Sequence, residues 1–265
     1  MTNARAYKKT ALSPLEQRIY FAARNARDGV IALEIIRSWR LTDDRTLLST
    51  ISRMTKKGWL IRLRRGYYLV TEPSAQAIKD VFRISTYCFP GYNAFSAALY
   101  IHGLADMVPF GIYVATRNES GSKTFGSYTI RAVALKERYG GATSVRGYVV
   151  STIPKTIYDC LTHPELAGGY PAVLKAIHEA KLTDDDREEL LRYAEISGSR
   201  SFYQRLGYLL DILPRKNTAI KRMIRLCLQK VGPVVHLYGR RSGRFIPKWR
   251  IVDNVGKTEL LSWWY

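Results

Sequence analysis

The stretch TDDRTLLSTISRMTKKGWLIRLRRGYYLV, Thr42 to Val70, constrains the fold of this chain more than any other. Thr42 or Asp43 can cap a helix, and Asp43 and Asp44 suit its positive end. Leu47, Ile51 and Met54 fall at i, i+4 and i+7, giving one apolar face. Arg45 opens the helix, and Thr46, Ser49, Thr50, Arg53, Lys56 and Lys57 are expected on the face opposite. Lys57-Gly58 ends the helix and Trp59 begins a strand. Charged and apolar side chains then alternate around Gly66, which supplies the positive φ of a tight hairpin turn. Ile61, Leu63 and one tyrosine are expected to face the helices, with Arg62 and Arg64 facing out.

Two shorter helices are expected before this unit. Ser13-Pro14 has the N-cap serine and first-position proline of a helix start, followed by Leu15, Ile19 and Ala22 or Ala23 on one stripe. Asp28-Gly29 interrupts, and ALEIIRSW turns Leu33, Ile36 and Trp39 inward. Three helices and a basic hairpin make a winged helix-turn-helix. Threonine and serine let a backbone approach base edges, while arginine and lysine reach phosphate or guanine. The DNA-contacting set is therefore Arg45, Thr46, Ser49, Thr50, Arg53, Lys56 and Lys57 on the helix, with Arg62, Arg64, Arg65 and Tyr67 on the wing. A helical domain with ordinary solvated basic faces is the plainer reading, and the charge distribution weighs against it.

The chain holds 42 Lys and Arg against 22 Asp and Glu, a net charge of +20. Residues 1–70 carry 15 basic and 5 acidic side chains, residues 71–199 carry 13 and 14, and residues 200–265 carry 14 and 3. Two basic ends around a neutral middle point to a polyanionic partner. No apolar run reaches the roughly 18 residues of a membrane span, and the N-terminus lacks an export-type apolar core, so a cytoplasmic protein is expected. The three cysteines are scattered and the four histidines show no ligand spacing, so neither a metal nor another cofactor is expected.

Beyond a link around Glu72 to Asp80, a helix is expected from Asn93 to His102. The strands FGIYVAT, YTIRAVAL and RGYVVS follow, then the helices IPKTIYDCL, YPAVLKAIHEA and TDDDREELLRYAEI. The aspartates of the last helix are read as capping. In the tail, SRSFYQRLGYLLDIL and NTAIKRMIRLCLQKVG are amphipathic helices, and VVHLYGRRSGRFIPKWRIVDN reads as a hairpin with Arg240, Arg241 and Arg244 at its tip. Lys221, Arg222 and Arg225 join those arginines in a second basic surface open to DNA, RNA or an acidic protein. The fold class is α+β: a winged helix-turn-helix over residues 1–72, then a mixed α/β domain over 80–265. Neither SGSKTFGS nor the Cys160–His163 pair supplies a catalytic constellation, so no enzyme is expected. The alternatives are a ligand-sensing DNA-binding regulator and a nucleic-acid processing factor.

GWLIRLRRGYYLV, FSAALYIHGLADMVPFGIYVAT, STIPKTIYDCLTHPELAGGYPAVLKAI, RLGYLLDIL and WRIVDN, in that order, resemble the AbiEi-like antitoxins of abortive-infection type IV toxin–antitoxin pairs. The resemblance implies that the winged helix binds double-stranded promoter DNA at inverted repeats and represses its own operon. It also implies a C-terminal antitoxin domain countering a nucleotidyltransferase-like toxin. Lys155, Asp159, Arg205 and Tyr208 are the motif residues of that domain, with a structural role open to them. The strongly basic tail departs from what the family requires.

Overall fold

The computed structural model describes residues 10–73, 80–239 and 242–264. Helix α1 (Pro14–Ala23) starts with a reciprocal capping box, in which the Ser13 hydroxyl accepts from the Glu16 amide and the Glu16 carboxylate from the Ser13 amide. Strand β1 (Val30–Ala32) follows and leads directly into α2 (Leu33–Ser38). Helix α3 (Asp44–Lys56) is capped by Asp43, whose carboxylate accepts from the Thr46 amide at 2.9 Å. Strands β2 (Leu60–Arg64) and β3 (Tyr67–Val70) form the hairpin, and Gly66 turns it at φ 79°.

Strand β1, hidden in the sequence behind the helical pattern of α2, pairs antiparallel with β3 and makes a three-stranded sheet of order β1-β3-β2. Leu60, Tyr68 and Ile31 bury against Ile19, Ile36, Leu47, Ile51 and Met54 in the winged-helix core. A bulge between Arg62 and Arg64 shifts the register of the hairpin. By alternation from Leu60, which faces the helices, Leu63 lies on the opposite face of the sheet. It is fully buried with Val30 against Val81, Phe82, Ile84 and Ile112 of the second unit. Leu60, not Ile61 or Leu63, is thus the β2 residue that packs on the helices. The wing sheet has one face on each unit.

The second unit begins with α4 (Val81–Cys88), β4 (Tyr92–Ala94) and α5 (Ser96–Ile101). The helix expected over Asn93–His102 is shorter because β4 takes its start. Strands β5 (Gly111–Thr116), β6 (Gly121–Phe125), β7 (Tyr128–Ala134), β8 (Ala142–Val145) and β9 (Tyr148–Ser151) complete a mixed six-stranded sheet of order β6-β7-β5-β4-β9-β8. Polar strands β6 and β8 sit at its two edges, which is why SGSKTFGS reads as a loop in sequence.

Helices α6 (Ile153–Thr162), α7 (Tyr170–Glu179), α8 (Asp184–Ser197), α9 (Arg200–Ile212) and α10 (Thr218–Leu228) pack into the largest core. Thr183 and Asp186 form the capping box of α8, so the triple aspartate sits at a helix start.

The tail forms a small sheet: β10 (Val235–His236), β11 (Arg244–Ile246) and β12 (Ile251–Asp253). Its order is β10-β12-β11, with β10 parallel and β11 antiparallel to β12, so the expected two-stranded hairpin is corrected. Trp249 anchors it on α9. A Cβ on Gly207 would lie 2.1 Å from the Trp249 ring, so only glycine allows this approach, and the indole Nε1 donates to Asp211 at 2.9 Å. Trp263 and Trp264 close the chain against His178.

Candidate nucleic-acid interface

The outward stripe of α3 follows helical spacing: Arg45, Leu48, Ser49, Ser52 and Lys56 are all exposed, as is Thr46. Leu48 and Ser52 belong to this surface although neither is among the expected contacts; the i, i+3, i+4, i+7 series from Arg45 includes both. Thr50 corrects the expected face. It lies three residues after Leu47 and is fully buried, its hydroxyl donating to the Thr46 carbonyl at 2.8 Å.

Arg53 and Lys57 bend back onto the protein. Arg53 donates to the hydroxyls of Ser49 and Thr50 at 3.4 and 2.9 Å, and its Nε lies 3.6 Å from Glu16. Lys57 donates to the Glu16 carboxylate at 2.6 Å and to the Ala11 carbonyl at 2.9 Å. Burial by itself would push the Glu16 carboxyl up; the Lys57 bond, the Ser13 amide and the Lys57 charge together hold it below its usual value. Two of the seven helix residues assigned to DNA therefore stabilise the joint between α1 and α3.

On the wing, Arg62 and Arg65 are exposed. Arg64 is half-buried, its guanidinium 4.0 Å from the Tyr67 ring centroid. Tyr67 in turn faces Tyr87 of α4, ring centroids 6.3 Å apart. Among the described residues, no ion pair engages Arg45, Lys56, Arg62 or Arg65.

The second unit grips the wing from behind. Lys123 of β6 donates to the Leu63 carbonyl and, at 3.1 Å, to the Cys88 carbonyl. Asp28, which precedes β1, accepts from Arg83 at 3.0 Å and from the Tyr87 hydroxyl at 3.2 Å, both on α4.

In the tail, Lys221, Arg222, Arg225 and Arg244 are exposed, while Arg240 and Arg241 lie outside the described residues. The four motif residues are internal ties. Lys155 and Asp159 form a fully buried pair, Tyr208 donates to Asp253 at 2.6 Å, and Arg205 donates to the His236 carbonyl at 3.1 Å. All three cysteines are buried, and burial pushes the Cys88 and Cys227 thiols up to about 12, the reverse of an activated nucleophile. Among the described residues, no three His, Cys, Asp or Glu converge as a metal site, and no helix is long and apolar enough to cross a membrane.

Residues 43–71 match the model of a family described as transcriptional regulator, AbiEi antitoxin. Those bounds run from the cap of α3 to the residue after β3. The crystal structure of the RV2827C protein from Mycobacterium tuberculosis matches at a TM-score of 0.65 and 18% identity, over 96% of this chain and 95% of that one. The likeness is one of fold, and it takes in both units. No curated protein matches the sequence. Over residues 43–71 this chain is similar to the AbiEi antitoxin family of transcriptional regulators, and across both units its fold is that of the mycobacterial protein.

Proposed function

We infer that this protein is a cytoplasmic, non-enzymatic antitoxin that binds double-stranded promoter DNA and represses its own operon. The observation that carries this reading is the exposed stripe of α3, with cations at both ends and small hydroxyls between, running directly into a hairpin tipped by Arg65. In the major groove, Ser49 and Ser52 are short enough to admit the backbone, and Leu48 suits a thymine methyl. Arg45 and Lys56 reach phosphate or guanine, and Arg62 and Arg65 hold the flanking backbone. Residues 1–72 supply this function, and inverted repeats are its natural target. Residues 80–265 supply the antitoxin half, acting against a nucleotidyltransferase-like toxin.

Titration of the full chain with a labelled duplex of its own promoter tests the DNA half. With about five phosphates engaged per protomer, log K falls with log salt at a slope of about −4 to −5. Arg45→Ala and Arg65→Ala should each weaken binding by several-fold, Arg65→Ala with a shallower slope by about 1. Affinity unchanged in both variants removes α3 and the wing as the interface. Co-expression with the toxin tests the other half, and growth must be restored.

A further inference from the structure

The small tail sheet presents a second surface whose chemistry differs from that of α3. Register places Phe245, Val252 and His236 in one row across its three strands. The neighbouring positions Ile251, Leu237 and Asp253 are buried on α9, so this row occupies the outer face. Phe245 is 48% exposed, and none of the three residues belongs to a hydrophobic cluster.

One cation borders the row: Arg250 directly precedes β12, whereas Arg244 opens β11 in register with the buried Asp253, on the inner row beside Tyr208. Both are exposed, and neither makes an ion pair among the described residues. The local acids offer little counter-charge. Residues 200–265 contain three, Asp211, Asp253 and Glu259. Asp211 is paired with Lys248 and Trp249, and Asp253 is buried under the Tyr208 hydroxyl and the amides of Val255 and Gly256.

We propose that the outer face of the tail sheet binds single-stranded nucleic acid. An exposed aromatic ring and an imidazole on a sheet, with the exposed Arg250 beside the row and little acidic counter-charge nearby, match what unpaired bases and their phosphates require. Bases stack on the rings while guanidinium groups follow the backbone. Duplex DNA keeps its bases stacked internally and offers nothing to Phe245. A row of three strands spaced about 4.8 Å apart gives roughly 10 Å of platform, room for about two nucleotides. The site is separate from α3 and does not depend on how the promoter is read.

The test is fluorescence anisotropy on the full chain with labelled oligo(U) RNA, oligo(dT) DNA and the promoter duplex. Phe245→Ala should weaken both single strands about tenfold with an unchanged salt slope, because stacking is lost and no phosphate contact is. Phe245→Trp should restore the affinity, and promoter binding should stay at the level of the unsubstituted chain in both variants. Arg250→Ala should instead reduce the salt slope for single strands by roughly 0.7. The RNA and DNA arms show which sugar is preferred. Single-strand binding indifferent to Phe245→Ala overturns the proposal, since the contact is then charge alone. Absence of oligonucleotide binding also overturns it and leaves an acidic protein as the occupant. Arg45→Ala, which impairs the promoter duplex, should leave single-strand binding in place, so failure of either reading is seen by itself.

Discussion

Glu16, fully buried at the start of α1, accepts a 2.6 Å hydrogen bond from Lys57 at the end of α3. The two are 41 positions apart in sequence, and the bond locks the first helix onto α3, the helix proposed to face DNA. Its carboxyl is held below the ordinary glutamate value of 4.5. A group lowered in this way stabilises the fold above its unfolded pKa, and that contribution is lost as pH falls through the folded pKa. The melting temperature should therefore drop as the pH falls below about 4.5, and Glu16→Gln should flatten that drop. At neutral pH the same substitution should cost about 1–3 kcal/mol, since it removes a charge-assisted bond from a buried site. A pH profile identical in the variant and the parent would count against this role.

Lys123 places the wing from the second unit by holding the Leu63 carbonyl. Lys123→Ala should leave the exposed cations of α3 untouched yet weaken promoter binding by a few-fold, with faster amide exchange over residues 60–70. Leu63→Ala should destabilise the whole chain by about 2–4 kcal/mol, because that side chain fills the core between the units. Exchange rates over the hairpin that do not change in Lys123→Ala would show that the wing stands unaided.

Much of the helix–wing unit was legible because its signals are local. The Ser13 and Asp43 caps, the stripe of Leu47, Ile51 and Met54, and the turn at Gly66 each depend on residues within a few positions. What escaped was long-range. Strand β1 is three residues long and becomes a strand only through its partner β3. Leu63 shares a face with Ile61, as alternation requires, but which face meets the helices is decided by packing, and its burial needs a partner from another unit. Lys57 looked like a free cation because nothing near it in sequence announces Glu16. Thr50 is a different case: its distance from Leu47 already placed it inside, and chemical type was allowed to outweigh spacing.

Gly207 explains why RLGYLLDIL tolerates a glycine inside a helix, where it is intrinsically unfavourable. The Trp249 ring lies where a Cβ would be, and its nitrogen is fixed by Asp211, the penultimate residue of α9. Gly207→Ala should gain helix propensity and still destabilise the protein by about 1–3 kcal/mol through overpacking. Trp249 fluorescence should shift as the ring is displaced. An increase in melting temperature would show that the ring moves aside without cost.

Lys155 and Asp159 sit one turn apart on α6, both about 1% exposed, with the amine 2.6 Å from one carboxylate oxygen. Burial pushes the lysine down and the aspartate up, and each is opposed by the charge of the other. The Tyr158 and Tyr193 rings, each 5.6 Å from the amine, offer the lysine a further favourable contact. Removing one partner leaves the other buried and uncompensated, so Asp159→Asn or Lys155→Met alone should cost about 3–5 kcal/mol. Replacing both, as Lys155→Met with Asp159→Leu, removes the buried charges together and should recover most of that loss. Chemical denaturation of the three variants measures the coupling directly. If the double variant unfolds as readily as the sum of the singles, the pair is not energetically coupled. If it is as stable as the parent yet no longer protects against the toxin, the pair serves the antitoxin function and not the fold alone.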